Sequence, residues 1–140
     1  MTLTEQIARL LVQLGLGTYD DTGGTGNIFL TQAADQPDAA ITVARYGGPE
    51  SDALLGYDQP TIQIRTRGTD ADASAPEALA QRIYDALHGL SMRVLPGGTY
   101  LMLCIGTSGG PVYIGPDLRN RFEWSVNFRM EIRNQSAQRQ

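Results

Sequence analysis

From Phe122 to Ile132 the chain alternates without a break. Phe122, Trp124, Val126, Phe128, Met130 and Ile132 are apolar, and Glu123, Ser125, Asn127, Arg129 and Glu131 between them are polar. Side chains of a strand point to opposite faces in turn, so this run predicts one long strand with an oily face and a wet face. Its eleven residues, at about 3.3 Å each, span roughly 36 Å, about twice a typical strand. A strand of that length is expected to cross a small sheet and project beyond it, where another subunit can pair with it.

A period near 3.6 appears twice. Leu3, Ile7, Leu10, Leu11 and Leu14 share one face, Thr2 and Glu5 form a capping-box pattern ahead of them, and Gly15 and Gly17 end the helix. Leu79, Ile83, Ala86, Leu87 and Leu90 form a second stripe. Ser74 and Glu77 read as its capping box, Pro76 falls in its first turn, and His88 and Gly89 mark its end, where a histidine complements the helix dipole.

Shorter strands are expected at Asn27–Leu30, Ala40–Tyr46, Thr61–Gly68 and Pro111–Ile114. Thr99–Ile105 is apolar without alternation, which predicts a central strand buried on both faces. In Thr61–Gly68, Ile62 and Ile64 face one way and Gln63, Arg65 and Arg67 the other. The two arginines either bind an anion or belong to a wet sheet face, paired with acids on neighbouring strands. Residues 47–60 form a loop rich in Gly, Pro and acids, a length that in a compact domain marks function or disorder. Its Leu54 and Leu55 either fold back on the core or dock on a neighbouring molecule. The predicted order is α-β-β-β-α-β-β-β: an α+β domain over residues 1–140, with a single mixed or antiparallel sheet, two helices packed on it and a disordered tail at 134–140.

Charge narrows the function classes. The net charge is −4, which argues against a grip on bare phosphate backbone, and all eleven basic residues are arginine. Residues 1–60 carry a net −6 and residues 61–140 a net +2. The division suits either a solvated surface or acidic and basic faces that meet between copies. No apolar run approaches the roughly 18 residues of a membrane helix, and the N-terminus lacks the basic-then-apolar pattern of a signal peptide. A cytoplasmic site of synthesis, without membrane contact, is therefore expected.

Candidate chemistry is sparse. The glycine-rich TYDDTGGTG (18–26) lacks the lysine and Ser/Thr of a phosphate-binding loop and follows no strand. Cys104 and His88 are the sole thiol and imidazole, and Cys104 sits inside an apolar strand, where a thiol is inert. They cannot supply a zinc site. Asp70 and Asp72 read as helix N-terminal charge more readily than as oxygen ligands of a metal. No nucleophile elbow, acid–base pair or cofactor cradle is present, so neither an enzyme nor a cofactor is expected. The aromatics of the last strand lie on its apolar face, away from arginine, unlike an RNA-binding sheet.

Three stretches carry a family resemblance: YDQPTIQIRTRG (57–68), AQRIYDALHGL (80–90) and PVYIGPDLRNRFEWSVNFRMEI (111–132). Their order, the arginine-bearing strand ahead of the second helix, and the pattern Gly115, Asp117, Arg121, Asn127 and Phe128 resemble the minor capsid or tail-terminator proteins of long-tailed bacteriophages. The resemblance implies a virion protein, assembled in the host cytoplasm. It would form a homo-oligomeric ring, commonly of six copies, that caps the head-proximal end of the tail tube and joins it to the head. Its implied partners are further copies of itself, the major tail tube protein and a head-completion or connector protein. Candidate subunit contacts are Arg65, Arg67, Leu54, Leu55, Asp117, Arg119 and Arg121. The alternatives are another head–tail neck component and a non-phage ligand-binding module.

Overall fold

The computed structural model describes residues 1–140. Helix α1 (Leu3–Gln13) is followed by strands β1 (Ile28–Leu30), β2 (Ala40–Tyr46), β3 (Tyr57–Asp58) and β4 (Thr61–Arg67). Helix α2 (Ser74–Leu87) comes next, and then β5 (Ser91–Val94), β6 (Tyr100–Gly106), β7 (Val112–Pro116) and β8 (Phe122–Arg133). The eight strands form one mixed sheet in the order β1-β2-β4-β8-β6-β5, with β3 and β7 also paired to β8. Only β1 and β2 are parallel. The α+β class and the two helices packed on a sheet are as the sequence predicts. The strands β3 and β5 are additions to the predicted order, and both are short.

The long strand is the spine of this sheet, and it does not project. On one side β3 and β4 pair with it in a single register from Tyr57↔Arg133 to Arg67↔Glu123. On the other side β6 and β7 lie end to end along it, from Leu101↔Ile132 to Pro116↔Phe122. Both edges of β8 are thus filled by its own chain, which corrects the expected free extension.

The even-numbered side chains of β8 face the helices. Val126, Phe128 and Met130 join Ile62, Ile64, Ile41 and Val43 of the sheet, Ile7, Leu10 and Leu11 of α1, and Ala80, Ile83 and Leu87 of α2 in one core. Strand β6 is next to the edge, not central as expected. Its missing alternation has a different cause: a bulge between Leu101 and Leu103 adds one residue, so Leu101 and Cys104, three apart, both pair with core positions of β8. Gly106 lies opposite Phe128, and a Cβ there would collide with the ring of Tyr84. Tyr84 in turn stacks on Phe128 and on His88.

The helix caps divide. Thr2 caps α1, its Oγ1 accepting the N–H of Glu5 at 3.2 Å. The expected Ser74/Glu77 box does not form. Asp72 replaces it, accepting the hydroxyl of Ser74 at 2.6 Å and its N–H at 2.8 Å, and these bonds, the hydroxyl's first, hold its carboxyl below the usual range. The Nδ1 of His88 accepts the N–H of Gly106 at 2.9 Å, which ties the end of α2 to β6.

Candidate functional site

The sheet face turned away from the helices is polar, and arginines organise it. Arg65 and Arg67 project from β4 on this face, across from Ser125 and Glu123 of β8. Loop 31–39 folds over the end of the face. Arg67 is only 7% exposed, yet it pairs with no carboxylate: its Nε donates to Asp38 O at 3.0 Å, and its Nη2 donates to the carbonyls of Ala34 and Pro37 at 2.7 and 2.8 Å. Burial, and then the nearby charge of Arg121, push its pKa down. The guanidinium works as a staple for backbone carbonyls that loop 31–39 cannot satisfy by itself.

Arg121, 5% exposed, locks the β7–β8 turn to the same loop. Its Nε donates to Asp117 Oδ2 at 2.8 Å and its Nη1 to Asp38 Oδ1 at 3.1 Å. Asp117 Oδ1 also accepts the N–H groups of Arg119 and Arg121. Burial opposes the Asp117 charge, but these donors outweigh it and the pKa falls. Gly115 precedes this turn with φ of +98° at a second bulge, a conformation that favours glycine. Arg119 is exposed and reaches Asp35 at 2.9 Å. Arg65 donates only to Thr31 O, at 3.2 Å, and its Nε is buried without an acceptor. These groups line a cavity of about 460 Å³ that also includes Thr42, Leu118 and Glu123.

A second polar centre lies at the far end of β8. Asp58 accepts from Arg139 at 2.8 Å, from Asn134 at 2.7 Å and from Ser51. Hydrogen bonding from Arg139, the largest influence, keeps its carboxyl far below the usual range. Arg139 also donates to the carbonyls of Leu55 and Tyr57, and Gly56 and Gln140 exchange backbone contacts with their neighbours across the gap. Residues 134–140, expected as a disordered tail, are instead bound to loop 47–60. Leu54 and Leu55 do not fold back on the core: they stand 72% and 60% exposed above Asp52, which accepts both their N–H groups.

The structure therefore groups Arg65, Arg67, Asp117, Arg119 and Arg121 at one end of the sheet and places Leu54 and Leu55 at the other. It also revises the charge reading. The acidic half meets the basic half inside one chain, through Asp35 and Asp38 on Arg121, Asp35 on Arg119 and Asp58 on Arg139. Sequence reasoning missed Asp58 and Arg139, which are 81 residues apart and carry no local pattern. The partners of Arg121 in loop 31–39 were equally hidden.

A comparison with protein families matches residues 10–134 to the bacteriophage tail terminator protein family. The chain belongs to that family. The match runs from within α1 to just past the end of β8 and so includes every strand and the whole first polar centre, while Arg139 of the second centre lies beyond it. No curated protein matches the chain. Membership gives the chain a structural role in the phage tail and implies contacts with other tail or head proteins.

The chemistry-bearing residues agree with a structural role. Cys104 is fully buried, and burial pushes its thiol up to about 12. Asp20 fills its own glycine-rich loop, accepting the N–H groups of Thr22, Gly24 and Thr25 where an anion would sit. No helix is long and apolar enough to cross a membrane.

Proposed function

We propose that this chain assembles as a closed ring, commonly of six copies, on the head-proximal end of the phage tail tube. The ring halts tube polymerisation and offers its outer surface to a head-completion or connector protein. The observation that carries the reading is the family match over residues 10–134. The exposed Leu54 and Leu55 support it, since two adjacent large apolar side chains held out on a pinned loop are suited to burial by a neighbour. Arg65 and Arg119 remain candidate ring contacts. Arg67, Arg121 and Asp117 contribute by holding the surface that carries them.

The test is genetic and structural together. A phage lacking this gene should make tails of irregular, excessive length that fail to join heads, and the chain supplied in trans should restore uniform tails. Tails of normal length, joined to heads without the protein, would refute the capping role.

A further inference from the structure

Two exposed apolar groups lie at opposite ends of β8. At its C-terminal end, loop 47–56 holds out Leu54 and Leu55. At its N-terminal end, β7 and the turn after it expose Val112, Ile114 and the fully exposed Leu118. Strand β7 is a free edge, paired with β8 on one side alone. The twelve residues of β8 separate the two groups by about 40 Å at the usual strand rise.

A charge without an ion-pair partner accompanies each group. Glu50, four residues before Leu54, is exposed and forms no ion pair within the chain. Beside Leu118, the cavity holds Arg65, whose Nε is buried without an acceptor. Among the four arginines of that cavity, Arg119 and Arg121 are paired with carboxylates and Arg67 is occupied by carbonyls, so Arg65 is the one with donors to spare. The buried Nε is out of reach of another copy, but the half-exposed guanidinium makes a single hydrogen bond through Nη2, so its other terminal N–H groups are free to donate to a carboxylate. A two-fold contact would use both surfaces of each copy at once and stop at a dimer. A head-to-tail contact sets unlike ends together, as a closed ring requires.

We propose that loop 47–56 of one copy seats on β7 and the 117–119 turn of the next copy. Leu54 and Leu55 pack on Val112, Ile114 and Leu118, and the Glu50 carboxylate pairs with the Arg65 guanidinium. This inference rests on the ring reading and names the two surfaces that close the ring.

The test uses complete tails from a phage lacking the gene and supplied with variants of the full chain. On tails carrying Leu54→Cys and Leu118→Cys together, a short bis-maleimide should give a covalent ladder of this chain, and neither single variant should give more than monomer. Glu50→Arg and Arg65→Glu should each lower the yield of joined particles at least about tenfold, and the double reversal should recover most of it. Cross-linking by Leu54→Cys alone, or a double variant whose product stops at dimer, would show a two-fold contact and overturn the proposal. No ladder on tails whose ends carry a visible ring would overturn this interface and leave the ring reading standing. Tails with no ring at their ends would overturn both.

Discussion

Arg67 and Arg121 differ from Arg119 by a few residues or one strand, yet their surroundings assign them opposite energetic weight. Arg121 is nearly out of water and holds Asp117, Asp38 and the Asp35 carbonyl at once. Arg121→Ala would take the donor from the mostly buried Asp117 and from the Asp35 carbonyl, while Asp35 and Asp38 keep their water, and should cost about 2 kcal/mol of unfolding free energy. Arg119 makes one exposed pair with Asp35, and Arg119→Ala should cost under about 1 kcal/mol. Denaturant titration of the two variants checks this, and equal losses would contradict the assigned burial. Alternation in Thr61–Gly68 told which face Arg65 and Arg67 occupy. Their partners, backbone carbonyls about 30 residues away, leave no trace in local sequence.

Among the elements, the junction of α2 with the sheet depends on one missing side chain. Gly106 lets the Tyr84 ring lie on the strand, so Gly106→Ala should displace that ring and cost roughly 1–3 kcal/mol, read as a lower thermal midpoint. The segment 134–140 depends instead on ionisation. Asp58 and Asp117 are both held below their ordinary pKa, so they favour the fold above the unfolded value of about 3.9. That contribution is lost as pH falls through the folded values. The thermal midpoint should therefore be nearly level from about pH 8 to pH 5 and drop below about pH 4. Arg139→Ala should remove part of this acid sensitivity and speed amide exchange in residues 52–58, with the core strands unchanged. Unaltered exchange there would mean that Arg139 does not hold the loop. Local periodicity made both helices and the long strand legible. It could not reveal β3, two residues long, or the bulge in β6, because a bulge is defined by the partner strand and not by the strand that carries it.

At the scale of the molecule, the long strand organises the subunit without extending outside it. Its fourfold pairing occupies the strand expected to project and pair with another subunit, and internal ion pairs absorb much of the charge imbalance between the two halves. What remains for assembly is a pair of unlike apolar ends on one polar, arginine-braced body. Leu54, Leu55 and Leu118 should be dispensable for folding, and Leu54→Ser with Leu55→Ser should leave the thermal midpoint within about 2 °C of the parent while reducing tail completion. A large fall in midpoint would place these leucines in the subunit's own core.

The central claim is a ring of this chain at the head-proximal end of the tail, and direct imaging addresses it. Symmetry-averaged cryo-electron microscopy of that end, on particles with the chain tagged and untagged, should show a single cyclic layer of this fold closing the tube beneath the head proteins. Finding the tagged chain along the tube, at the host-facing tip or absent from finished tails would contradict the account.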